Sequence, residues 1–215
     1  MQADMHQDDK LHNKLISYIQ DAYAMENHIV EILEKQVKAT QRFPDIQAQI
    51  QQHLEATKQH RQRMEYRLGF YNTKPSAVKD AVTSVMGNVA GAAAGARTDS
   101  LAKDARDDYA TEHLEIAAYE LLIATAQAFG DRDTIQACEM NLRDEVVMAH
   151  WLESHMGRTA LLSLREDGVA VDDRALSSAD LAVNSALQTA QRALSTSGQT
   201  WMSPDQAPLE SRPTS

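Results

Sequence analysis

The sequence predicts an all-α protein, and three observations carry that expectation. Apolar side chains recur at alternating intervals of three and four over long stretches, which is the spacing of one helical face. The composition is poor in aromatics (5%) and holds only 5 Pro in 215 residues, while Ala, Leu, Gln and Glu abound; this is the usage of helical bundles, not of sandwiches or barrels. Helix breakers separate these stretches, around Pro44, at Gly69 and the Pro- and Gly-bearing residues 70–98, at Gly130 and at Gly157. The chain is long enough to bury a core without staples, and a single Cys excludes a disulfide scaffold.

Taken in order, residues 1–10 carry Asp4, Asp8 and Asp9 with no apolar run and read as a flexible N-terminus, unlike a secretory leader. Residues 11–41 place Leu15, Ile19, Ala22, Ile29, Leu33 and Val37 on one face, predicting a first long helix. Phe43, Pro44 and Asp45 break it, and so short a connection makes the next helix antiparallel. The second helix runs from Ile46 to Leu68, with Ile50, Leu54, Met64 and Leu68 inward and Gly69 as its stop. Residues 70–98 are too long for a hairpin turn and long enough to cross the bundle, so the third helix is expected to run parallel to the second. That helix covers Asp99 to Phe129, with Leu101, Ala105, Tyr109, Ile116, Tyr119, Ile123 and Ala126 in register, and Gly130-Asp131 ends it. A fourth follows at once, striped by Ile135, Cys138, Leu142, Ala149, Leu152 and Met156 to Gly157. Beyond about residue 165 the chain turns to Ser, Thr, Ala and Asp. Leu176–Leu194 has helical character, and Thr196–Ser215, with Trp201, reads as disordered. The organisation expected is thus 1–10, a bundle over 11–165 and a polar tail over 166–215.

A net charge of -10 gives no basic footprint for nucleic acid. Val85–Ala96, the longest weakly apolar stretch, falls well short of the roughly 20 residues that cross a membrane. A soluble cytoplasmic protein is expected, with Cys138 as a small buried residue of a reducing compartment. There is no glycine-rich phosphate loop, Ser-His-Asp arrangement or Cys cluster, so nucleotide chemistry and covalent hydrolysis have no support.

The stripes have polar gaps. Glu26 completes the alternation between Ala22 and Ile29; Glu145 does so between Leu142 and Ala149; Glu112 fills the gap between Tyr109 and Ile116, with Glu115 on the adjoining edge. The second helix carries His53, Thr57 and His60 across its inward face. Folding the first pair of helices about residue 43 sets Glu26 level with His60, and folding the second pair about 130–131 sets Glu115 beside Glu145. Several carboxylates stay ionised together in a core only when a cation compensates them. Glutamates and histidine converging from four helices are the pattern of a di-iron or di-manganese site, and mixed oxygen and imidazole donors exclude a thiolate-type zinc site. The competing reading pairs these acids with Arg61, Arg106 or Arg143. One mid-stripe Glu would favour that reading; three helices each carrying one favour the metal. Met25, Met64, Met140, Met148 and Met156 read as packing, while His28, His113, His150 and His155 fall beside or opposite the stripes. Tyr23 and Tyr119 are placed to hydrogen-bond a ligand carboxylate, packing being the simpler role.

The segments Asp21-Ala22-Tyr23-Ala24-Met25-Glu26, His53-Leu54-Glu55-Ala56-Thr57 and Glu112-His113-Leu114-Glu115-Ile116-Ala117-Ala118-Tyr119 resemble the signature stretches of the bacterial YciF/YciE ferritin-like family, over about residues 11–157. The resemblance implies a ferritin-like up-down-down-up four-helix bundle, commonly dimeric, with a rubrerythrin-like metal site and an association with stress responses. It puts the family's acidic positions on Glu26, Glu112, Glu115 and Glu145. The chain departs from a full ferritin motif at Thr57, where Glu is expected, and at Met148, where His is expected; Ala149 replaces an often acidic position. Two functions are expected from this combination. The first is a cytoplasmic stress protein holding iron or manganese through Glu26, His60, Glu112, Glu115 and Glu145, handling peroxide or iron; as an enzyme it would be a metal-dependent oxidoreductase. The alternative is a metal-free helical interaction module acting as a homodimer.

Overall fold

The structure, a computed structural model, describes residues 2–74 and 100–198. The crossover expected over 70–98 and the disordered tail with Trp201 therefore fall largely outside the described residues. Among those described, five helices and no strand occur: α1 (Gln2–Ala39), α2 (Pro44–Phe70), α3 (Ser100–Phe129), α4 (Arg132–Glu166) and α5 (Asp173–Gly198). The all-α expectation holds. α1 takes in the stretch 2–10 that the sequence suggested as a flexible N-terminus. None of these helices is long and apolar enough to cross a membrane.

The chain divides into two compact units, 1–153 and 154–215. In the first, the pairs Gln36 with Asp108, Glu26 with Tyr119 and His12 with Phe129 run in opposite senses, so α1 and α3 are antiparallel. His53 with Glu112, His60 with Tyr119 and Tyr71 with Phe129 run in the same sense, so α2 and α3 are parallel. Gln49 with Met148, Arg63 with Asn141 and Arg67 with Thr134 make α2 and α4 antiparallel. These pairings reproduce the expected up-down-down-up order. Leu15, Ile19, Met64, Leu68, Leu122, Ala126 and Cys138 fill the core toward the α3–α4 turn, each large side chain contributing about 2 kcal/mol of burial against the polar groups at the middle of the bundle. Burial also pushes the Cys138 thiol up to about 12, which keeps it inert.

Helix boundaries follow local chemistry. Phe43 caps α2 with Pro44 in its first turn. Its stop is not Gly69: the helix continues to Phe70, and Asn72 takes the left-handed conformation (φ 51°) while Thr73 N–H reaches the Leu68 carbonyl. Gly130 (φ 82°) ends α3 as expected, and Asp131 caps α4 by accepting from the Thr134 amide at 3.0 Å. The same Asp131 receives both Oδ contacts of Arg67 Nη2 at 3.0 Å and the Tyr71 hydroxyl at 2.6 Å, while Arg67 Nε donates to Thr134 Oγ1 at 2.9 Å. A buried guanidinium thus ties the end of α2 to the start of α4.

Two stripes are rotated from their expected registers. On α3 the buried positions are Leu101, Glu112, Glu115, Tyr119, Leu122 and Ala126, with Tyr109, Ile116 and Ile123 only partly buried. On α4 Thr134, Cys138, Asn141, Glu145, Met148, Ala149 and Leu152 face inward, and Ile135 and Leu142 lie at the edge. Thr134 and Asn141 are satisfied inside by Arg67 and Tyr119, so the polar residues displace the aliphatic ones beside them. Met140 is 39% exposed and does not pack the core as expected.

In the second unit, α4 runs past Gly157, the end of the predicted stripe, to Glu166. The following turn uses Gly168 (φ 83°), and α5 returns so that Asp180 Oδ1 accepts the Arg158 amide at 2.7 Å.

Candidate metal centre

Six buried side chains converge in the middle of the first unit. α1 supplies Glu26, α2 supplies His53 and His60, α3 supplies Glu112 and Glu115, and α4 supplies Glu145; none is more than 4% exposed. They form two groups whose ligand atoms lie within 4.8 Å of one another, His53–Glu112–Glu115–Glu145 and Glu26–His60–Glu145. Glu145 belongs to both. All five residues expected from the sequence are therefore gathered in one place.

The sixth, His53, was noted on the inward face of α2 but not counted as a ligand. The signal was present, because His53 and His60 are seven apart and so share a helical face. Thr57 between them donates to the His53 carbonyl at 2.9 Å, within its own helix, and Met148 Sδ accepts from Gln49 at 3.6 Å. Both departures from the ferritin motif are thus occupied elsewhere. The second histidine comes from one turn before Thr57 on α2 instead of from α4.

The geometry is convergent without being self-satisfied. His60 Nδ1 lies 2.7 Å from Glu145 Oε1 and 3.6 Å from Glu26 Oε2, and His53 Nε2 lies 3.1 Å from Glu112 Oε1 and 3.7 Å from Glu145 Oε2. Yet Glu26 Oε2, Glu112 Oε2, both oxygens of Glu115, both of Glu145 and these two ring nitrogens have no partner in hydrogen-bonding geometry. Buried donor atoms this close and without hydrogen-bond partners are the kind of set that ions between them would complete. The arginines of the competing reading are engaged elsewhere or lie outside: Arg61 donates to Asn27 at 3.2 Å, Arg106 pairs with Asp107, and Arg143 is exposed.

Burial and the neighbouring charges set the protonation of these groups. Burial, reinforced by the neighbouring carboxylates, pushes Glu112 and Glu115 well above the ordinary carboxylate range. Burial raises Glu26 too, against the pull of His60. Burial lowers His53, keeping its ring neutral and able to donate a lone pair. For His60 burial acts downward, but contact with Glu145 and Glu26 outweighs it and lifts the ring to about 10.

A surrounding layer orients these groups. His60 Nε2 lies 3.0 Å from Asp144 Oδ2, which leaves Nδ1 turned toward Glu145 and Glu26. The Tyr119 hydroxyl donates to Glu26 Oε1 and accepts from Asn141 Nδ2 at 2.8 Å, and Asn141 Oδ1 in turn accepts from Arg63 at 2.7 Å. Tyr119 thus orients the Glu26 carboxylate as well as packing in the core. Tyr23 is only partly buried.

A family model described as a domain of unknown function, DUF892, matches residues 10–164. The chain belongs to this family. Among solved structures, a protein from Xanthomonas campestris is similar at 28% identity with a TM-score of 0.63, the match covering 74% of this chain and 99% of that one. YcfI from Rhodopseudomonas palustris is similar at 27% identity, TM-score 0.55, over 66% and 92% of the two chains. The Escherichia coli stress protein YciF shares the fold at 20% identity and a TM-score of 0.58, over 73% and 98%. The resemblance to YciF-type proteins read from the signature stretches is borne out. The DUF892 match takes in every side chain of the cluster and ends before α5.

Proposed function

We propose that this protein binds a pair of divalent iron or manganese ions in the buried cluster and serves in the cytoplasm as a stress protein that handles peroxide or iron. The observation that carries the reading is the set of six glutamate oxygens and two imidazole nitrogens buried without hydrogen-bond partners. Four glutamates buried at one height carry four negative charges once ionised, and two divalent ions would cancel them. His53, Glu112 and Glu115 would hold one ion, Glu26 and His60 the other, with Glu145 shared. Oxygen and imidazole donors suit iron and manganese.

Bound there, such ions supply reversible one-electron chemistry toward peroxide or oxygen. The chain's own contribution is to hold the donors. Tyr119 and Asn141 fix the Glu26 carboxylate, Asp144 holds the His60 ring, and the apolar layers on either side keep bulk water from the cluster. The association with stress rests on the family resemblance and on the similarity of fold to YciF. Self-association as a homodimer is part of the same proposal, measured by sedimentation of the full chain.

The double variant Glu26→Gln/Glu145→Gln tests the site. Metal content of protein purified without chelator should fall from about two ions per chain to less than about a tenth of an equivalent, with helicity unchanged. Unchanged metal content would overturn the assignment. Wild-type protein equally free of iron and manganese after aerobic and anaerobic reloading would leave the metal-free dimeric module as the function.

A further inference from the structure

Outside the buried cluster, a groove runs between α2 and α4 on the surface of the first unit. It encloses about 660 Å³, within the range of roughly 300–1,000 Å³ typical of small-molecule sites. Two of the large apolar side chains left exposed, Tyr66 (74%) on α2 and Met140 (39%) on α4, line it from opposite helices. Its two cations differ. Arg67 is buried and lies 3.0 Å from Asp131 and 3.5 Å from Asp133, so two carboxylates outweigh one guanidinium at that end. Arg63, one turn away, donates to Asn141 Oδ1 at 2.7 Å and to Gln59 Oε1 at 3.3 Å. Both acceptors are neutral amides. The Arg63 charge is therefore met by no carboxylate among the described residues, and the rest of its five-donor fork is left for a ligand.

We propose that this groove binds a small organic anion, a monocarboxylate on an aromatic body, with Arg63 taking the carboxylate and Tyr66 and Met140 flanking the ring. A guanidinium fork matches the two oxygens of a carboxylate. A phenol ring and a thioether both pack well against an aromatic ring. A bare inorganic anion would leave most of the groove unfilled, and the Asp131 and Asp133 end would repel a second negative group. Arg63 also reaches the cluster. Because a guanidinium only donates, Asn141 turns Oδ1 to it and Nδ2 to the Tyr119 hydroxyl at 2.8 Å, and the hydroxyl keeps its proton for Glu26 Oε1. Asn141 and Tyr119 are fully buried, so this chain passes through the protein interior. A carboxylate that draws Arg63 toward the groove weakens its bond to Asn141, and the change is felt at Tyr119 and Glu26. Binding stands on the groove by itself; only its consequence for a metal at Glu26 rests on the proposed function, and the metal-free protein keeps the two apart.

The probe is naphthoate, titrated by calorimetry into the metal-free full-length protein beside its uncharged counterpart naphthalenemethanol and inorganic phosphate. NMR follows the Asn141 side-chain amide in the same samples. Naphthoate should bind at least about tenfold more tightly than naphthalenemethanol, and Arg63→Gln should remove that difference. Gln59→Glu sets a carboxylate one turn from Arg63 in a spacing that favours the helix, and should cut naphthoate affinity at least about tenfold without disturbing the fold. The Asn141 amide resonance should move when naphthoate saturates the wild type. Absence of naphthoate binding, equal affinity for the charged and uncharged probes, or wild-type affinity in both variants would overturn the anion site. Phosphate binding as tightly as naphthoate would remove the aromatic body from the proposal. An Asn141 resonance unmoved at saturation would sever the groove from the cluster.

Discussion

At the scale of single residues, Asp131 shows how one side chain can join elements and sense pH. Burial works to raise its carboxyl, but the Thr134 and Tyr71 hydroxyls, the Thr134 amide and the Arg67 charge hold it below the ordinary value of 3.8. A carboxyl depressed in the folded state stabilises above its unfolded value, and that stability is lost as pH falls through the folded one. Asp131→Asn leaves the Arg67 guanidinium buried beside a neutral amide, and should lower unfolding free energy by about 3 kcal/mol at pH 7. Urea melts of both proteins should show the difference steady from pH 8 to 5 and shrinking below about pH 4; a constant gap down to pH 2 would remove Asp131 from this role. The same scale marks the limit of the sequence reading. Glu26, Glu112 and Glu145 were legible as interruptions of apolar stripes. His53 was not counted because a helix read alone does not show that Glu112 and Glu145 come within 4 Å of its ring.

At the scale of elements, legibility tracked the strength of the breaker. Pro44 and Gly130-Asp131 separated helices where expected, since a missing N–H and a positive φ act locally. Gly69 and Gly157 did not end theirs. Gly157 has another use: a Cβ there would lie 2.6 Å from the Ala179 carbonyl oxygen and 3.0 Å from Val183 Cγ2, so the glycine lets α5 approach α4. Gly157→Ala should push α5 away at a cost of about 1–3 kcal/mol. Hydrogen exchange should then accelerate in α5 amides over residues 173–189 and leave α1 to α3 unchanged; protection of α5 equal to wild type would show that the contact is not needed. The rotated registers of α3 and α4 have a related cause. Hydropathy assigns Ile135 and Leu142 inward, whereas Arg67 and Tyr119 reward Thr134 and Asn141 for pointing there.

At the scale of the whole molecule, the bundle balances apolar layers against a polar centre. In the metal-free protein the crowded glutamates oppose folding, and ions that bind only the folded state add stability by mass action. Free metal at about a hundred times its dissociation constant should add about 2.7 kcal/mol. For a unit of this size that is a rise of roughly 5–10 °C in melting temperature, reversed by chelator. The Glu26→Gln/Glu145→Gln protein should melt at one temperature with or without metal. A wild-type melting temperature indifferent to iron and manganese at millimolar concentration would separate the cluster from metal binding.

The four bundle helices among the described residues, the antiparallel hairpins around residues 43 and 130, and the presence of acids in the core were determined by the sequence itself, because periodicity and breakers act over a few residues of chain. Which histidines meet which glutamates, and that Glu145 belongs to both groups, was decided only by the tertiary structure. The reason is distance along the chain: His53 and Glu145, or Glu26 and Tyr119, are brought together by four helices packing at one height, and no local pattern records where a neighbouring helix sets its register.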